Sequence, residues 1–156
     1  SSSAASDVYK RQGMDGLILP DVPFEEKEEV DVVASRYGID LISMIAPTSK
    51  ERIRKIAKGA KGFLYVVSSM GVTGERTNIT TDIGGMLKEI RSVSSVPAAV
   101  GFGIHTPDQA AEISKTADGV IVGSAVVKLI EKYGSHAGGH LYTYVRMMKE
   151  TVSHSE

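Results

Sequence analysis

No cysteine occurs anywhere in the chain, which excludes disulfides and thiolate metal sites and fits a reducing, cytoplasmic setting. Neither sign of charge dominates. The net charge of -1 gives no electrostatic reason to expect nucleic acid or an anionic membrane as a partner. Long apolar runs are missing too, and none approaches the roughly 20 residues that span a bilayer. The stretch from Ser1 to Gln12 lacks the apolar centre of a signal peptide. It also shows no helix or strand period, so a flexible leader or a non-native scar is expected there. What remains is ordinary in bulk: 156 residues, 42% hydrophobic and 24% charged, enough for one globular core. A single domain is expected from Gly13 to Glu156.

Beyond Gly13 short β-rich runs alternate with amphipathic segments. The runs are Gly16 to Leu19, Asp40 to Ile45, Gly62 to Val67, Pro97 to Val100 and Gly119 to Val122. They are nearly continuous in apolar character, as expected of parallel strands covered on both faces. Between them Val30/Val33/Ala34/Tyr37, Ile53/Ile56/Ala57/Ala60, Ile83/Met86/Leu87/Ile90 and Val126/Leu129/Ile130/Tyr133 each form one helical stripe. Leu141/Tyr144/Val145/Met148 predicts a last helix after a break at Gly138-Gly139. Thr48 with Glu51 and Thr106 with Gln109 stand in capping-box register and predict two helix starts. The order argues for an α/β fold with a parallel sheet. Spacing alone leaves open a flavodoxin-like sheet of about five strands and part of a (β/α)8 barrel, whose whole takes about 250 residues.

Two junctions favour the barrel. In Val120-Ile-Val-Gly-Ser-Ala-Val-Val-Lys-Leu-Ile130 an apolar run stops at Gly123-Ser124 and a helical pattern starts without a loop. Free N–H groups and the positive end of the helix dipole converge there, a suitable place for an anion. Val100-Gly-Phe-Gly-Ile-His-Thr-Pro107 repeats the arrangement before a helix capped by Thr106 and opened by Pro107. Barrels hold phosphate after their last two strands in this way. Read without a ligand, the same glycines are tight strand-to-helix turns.

Leu19-Pro-Asp-Val-Pro-Phe-Glu-Glu26, Ile45-Ala-Pro-Thr-Ser49, Tyr65-Val-Val-Ser-Ser-Met-Gly-Val-Thr-Gly74, Val100-Gly-Phe-Gly-Ile104 and Gly119-Val-Ile-Val-Gly-Ser-Ala-Val-Val-Lys128 occur in an order and spacing that resemble the tryptophan synthase α chain. The resemblance covers roughly Gly13 to Tyr133. It implies a (β/α)8 TIM barrel, here partial and carrying strands four to eight, that cleaves indole-3-glycerol phosphate to indole and glyceraldehyde 3-phosphate. It places Gly74, Gly103, Gly123 and Ser124 around the substrate phosphate, Tyr65 and Phe102 along the indole and glycerol pocket, and Thr73 in a lid loop. The family's acid/base carboxylates, a glutamate ending the second strand and an aspartate on the next loop, have no counterpart from Gly13 onward. No catalytic residue is therefore assigned, and the chain by itself is expected to be inactive.

The resemblance further implies a partner β chain in an α2β2 complex, with pyridoxal phosphate in that partner and no cofactor in this chain. Pro23 and the segment Ser69 to Arg76 are the interface candidates. Asp21 ends a strand where a barrel displays functional groups, yet Pro20-Asp-Val-Pro23 is also good turn chemistry. His105 follows the phosphate glycines and could approach an anion or sit in a solvated turn. His136 and His140 have i, i+4 spacing, but the two glycines between them discourage a helix, and no metal is expected. Glu25 to Glu29 reads as a solvated helix start, favoured by the dipole. Two other readings stay open: a different phosphate-binding barrel enzyme, and a non-catalytic phosphate-binding half-barrel.

Overall fold

The computed structural model describes residues 2–68, 79–101 and 103–153. Within them five parallel strands form one sheet in sequential order: β1 Gly16–Ile18, β2 Asp40–Ile45, β3 Leu64–Val67, β4 Ala98–Gly101 and β5 Gly119–Ile121. The helices are α1 Ser2–Arg11, α2 Lys27–Arg36, α3 Lys50–Lys58, α4 Ile79–Arg91, α5 Pro107–Ser114, α6 Ser124–Tyr133 and α7 Ala137–Ser153. Each of the first four strands is followed by a helix that returns the chain to the start of the next parallel strand, the usual crossover between such strands. All five predicted strands are present within one or two residues of the predicted bounds.

Register divides the sheet into two unlike faces. Ile45, Val66 and Val100 lie side by side and are buried against Ile53, Ile56, Met86, Leu87 and Ile90 of α3 and α4, forming the core with Ala110 and Ile113 of α5. Met44, Tyr65, Ala99 and Gly119 form a neighbouring row that is only half-buried. The expectation of strands covered on both faces is thus corrected: among the described residues helices cover one face. Their apolar runs are nearly continuous because side chains alternate between a buried row and this half-open apolar row.

Other differences are local. The stretch expected to lack periodic structure is the helix α1, joined to α2 by Ser3 Oγ and the Tyr37 hydroxyl at 3.1 Å. Lys10 Nζ also donates to Gly38 O at 3.2 Å, and Ser6 is buried. The cap of α3 is Ser49, not Thr48; Arg52 N donates to Ser49 Oγ at 3.2 Å. Serine outranks threonine as a helix N-cap. Thr106 forms the predicted capping box with Gln109. Gly138 and Gly139 do not break the chain but lie in the first turn of α7, where the amides lack intrahelical acceptors anyway. His140 is accordingly helical and stacks on Tyr133, ring centroids 3.5 Å apart. No helix of the described residues is long and apolar enough to cross a membrane.

Candidate functional site

The C-terminal ends of β3, β4 and β5 open into a cavity of about 510 Å³. Tyr65 reaches it from β3, Gly103 from the turn after β4, and Gly123 with Ser124 from the junction of β5 and α6. Four of the seven residues singled out from the sequence therefore line one cavity. Gly74, Thr73 and Phe102 lie outside the described residues, as does Ser69 to Arg76.

The β4–α5 turn is held from several sides. Gly103 has φ +74°, a left-handed conformation that glycine adopts without steric cost. The His105 ring Nδ1 lies 3.0 Å from Gly103 O, while Gln109 Oε1 accepts from His105 N at 2.9 Å and Thr106 N at 3.1 Å. From α7 the Tyr144 hydroxyl donates to His105 O at 2.8 Å, and burial raises the pKa of that phenol. The turn thus rests on both its own helix and the last helix of the chain. His105 itself lines the cavity.

At the second junction Gly123 is the N-cap of α6, and Val127 N donates to its carbonyl at 3.1 Å. The amides of Ser124, Ala125 and Val126 precede that first helical bond, so α6 gives them no acceptor. A Cβ built on Gly123 would meet no atom within 4 Å, and its φ of -116° lies outside the left-handed range that favours glycine. Packing within the chain therefore does not require glycine there.

Tyr65 is seated by a different glycine. Val67 pairs with Gly101, two steps along the register from Tyr65 with Ala99 and so on the same face of the sheet. A Cβ on Gly101 would lie 2.7 Å from the Tyr65 hydroxyl and 2.9 Å from its ring. The tyrosine crosses β4 where only a glycine leaves room, with its hydroxyl over the strand that leads to Gly103.

Lys128, Lys132 and Tyr144 also line the cavity; none was singled out from the sequence. Lys128 and Lys132 follow Ser124 at four-residue intervals on α6, a signal that was available. Asp21 is exposed and lines neither this cavity nor the cleft of about 390 Å³ between the ends of β1 and β2. Pro23 is exposed as well. In that second cleft Lys27 Nζ donates to the buried Ser43 Oγ, and burial lowers the lysine's pKa. The expectation of a simply solvated acidic run holds for its exposed carboxylates but not for its lysine, which points inward.

The sequence profile of the family described as tryptophan synthase alpha chain matches residues 4–153. The chain belongs to that family. The match begins inside α1 and so takes in most of the stretch expected to be a leader. A tryptophan synthase alpha chain of Lacticaseibacillus casei is 47% identical over 137 residues, 88% of this chain and 52% of that protein. One from Thermoanaerobacter pseudethanolicus is 50% identical over 145 residues, 92% of this chain and 55% of its own length. The chain thus spans about half the length of the curated relatives it matches. Among solved structures, tryptophan synthase subunit alpha from Campylobacter jejuni superposes with a TM-score of 0.80 at 34% identity, over 97% of this chain and 58% of that one. The tryptophan synthase α2β2 complex from Pyrococcus furiosus gives 0.83 at 30% identity, over 96% and 61%. The five-stranded sheet is accordingly a partial (β/α)8 barrel.

Proposed function

We propose that this chain carries the phosphate-holding part of a lyase site that cleaves indole-3-glycerol phosphate to indole and glyceraldehyde 3-phosphate. The observation that supports this most is the meeting of Gly103, Gly123, Ser124 and Tyr65 in one cavity at the strand ends, with unfilled space in front of Gly123. Amides of the α6 first turn and the Ser124 hydroxyl would donate to the phosphate oxygens, helped by the helix dipole. Tyr65 would flank the indole-glycerol portion. Gly74 would join Gly103 and Gly123 around the phosphate, Thr73 would close over the site from the loop after β3, and Phe102 would complete the pocket wall.

Cleavage of this substrate requires protonation of indole C3, removal of a hydroxyl proton as the carbonyl forms, and charge stabilisation at the indole nitrogen. No described residue is given those roles. The contribution of this chain is binding and orientation, and the acid/base carboxylates belong to the strands that the family places before these. As in the P. furiosus complex, the whole protein would assemble with a β chain, through Pro23 and Ser69 to Arg76 here, and pyridoxal phosphate would reside in that partner.

Titration with an indole-glycerol phosphate analogue against a ribose-phosphate analogue tests the reading. Preferential binding of the indole compound is expected. Gly123→Asp should weaken it at least tenfold, because a carboxylate would occupy the open space and repel the phosphate. Unchanged affinity in that variant would refute the phosphate assignment, and equal affinity for the two analogues would favour a different phosphate-binding barrel enzyme.

A further inference from the structure

The cavity that holds Gly123 and Ser124 continues along α6 to Lys128 and Lys132. These residues stand four apart, so with Ser124 they form one row on the helix. Helical side chains lean toward the helix N-terminus, which from Lys128 is the direction of the Gly123–Ser124 end. Lys132 follows one turn later, its Nζ 5.2 Å from the Tyr133 ring centroid. Lys50, Lys61 and Lys115 each pair with a carboxylate. Among the described residues Lys128 and Lys132 are in no ion pair, and no aspartate or glutamate lines their cavity. Lys128 and Lys132, both exposed, thus bring two cations and no counter-charge to the α6 side of this cavity in a chain of net charge -1.

We propose that Lys128, with Lys132 behind it, makes the site selective for a dianionic phosphate monoester over a monoanionic ester of the same shape. The proposal rests on the phosphate reading above and adds the residues that set charge preference. Helix amides recognise the geometry of a tetrahedral oxyanion and contribute about half a positive charge. Full cations contribute energy in proportion to the charge of the ligand. A second negative charge on the ligand is therefore felt chiefly through the lysines.

Calorimetric titration at low ionic strength with glycerol 3-phosphate and glycerol 3-sulfate separates these effects, at about pH 8, where a phosphate monoester is mostly a dianion and the sulfate ester a monoanion. Lys128→Gln should weaken the phosphate ester about tenfold and the sulfate ester about threefold, because the Coulomb energy is linear in ligand charge. Lys132→Gln should act in the same sense but less, and Lys128→Arg, which keeps the charge, should retain the preference. Equal weakening of both esters by Lys128→Gln, or none, would overturn the proposal. Gly123→Asp separates it from its premise. If that variant loses both esters while the lysine variants leave their ratio unchanged, the charge proposal fails and the phosphate reading stands. If it keeps both esters, the phosphate reading fails and takes the proposal with it.

Discussion

Tyr65 and Gly101 are the most tightly coupled pair at the site, because a methyl group on Gly101 would overlap the tyrosine hydroxyl at 2.7 Å. Overpacking of this kind typically costs about 1–3 kcal/mol. Gly101→Ala is expected to lower the unfolding free energy measured by urea titration by that much and to displace Tyr65 from the cavity. In a Tyr65→Ala background the same substitution should cost little, since the atoms in the way are gone; additive effects in the double-mutant cycle would show that the two do not touch. A second pair lies outside the site. Lys27 is half-buried, its ammonium bonded to Ser43 Oγ, and burial lowers its pKa. Ser43→Ala should cost about 1–3 kcal/mol by leaving that charge without its acceptor, whereas Lys27→Met with Ser43→Ala should be close to neutral. The sign with pH follows from the direction of the shift. A lysine whose folded pKa is depressed binds fewer protons folded than unfolded between the two values, so stability rises with pH across that alkaline window. Stability of the wild-type chain should therefore climb there, and that increment should vanish in Lys27→Met; the same slope in both would exclude Lys27 as its source.

Helix starts show what the sequence discloses about elements and where it falls short. Thr106 caps α5 with the reciprocal Gln109 contacts that its spacing predicts. For α3 two adjacent hydroxyl residues compete, and Ser49 takes the cap from Thr48. Thr106→Ala and Ser49→Ala should each cost about 1 kcal/mol, while Thr48→Ala should change little. A loss at Thr48 equal to that at Ser49 would contradict the observed cap. Strand positions were legible because runs such as Asp40 to Ile45 are apolar and bounded by turn residues. The glycines of the cavity were legible because two strand ends run directly into helices. The inward turn of Lys27 and the link from Tyr144 to the β4–α5 turn were not, since each depends on a distant element packing beside it. Amphipathic spacing also overstated burial for α6: Ile130 stands on the predicted stripe yet is 47% exposed, because a stripe records apolar spacing and not what lies opposite.

At the scale of the whole molecule the described sheet is open. β1 and β5 each have a neighbour on one side only, and the row through Met44, Tyr65 and Ala99 is half-buried. Val127 at 62%, Tyr142 at 67% and Val145 at 55% exposure add apolar surface on α6 and α7. A closed barrel has no free edges, whereas an open sheet offers unpaired backbone groups to another chain. The edge strands here are only three residues long, which limits edge pairing, so exposed apolar area is the stronger drive and scales with area removed from water. The 156-residue chain, produced by itself, is therefore expected to self-associate in a concentration-dependent manner. Sedimentation velocity over about a tenfold range of concentration would reveal it. Ile18→Lys places a charge at the β1 edge, where Ile18 is 39% exposed, and Val127→Lys does so on the most exposed apolar residue of α6. If apolar area dominates, Val127→Lys should reduce association more than Ile18→Lys; the reverse order would assign association to the sheet edge, and a monomer at every concentration would refute both routes.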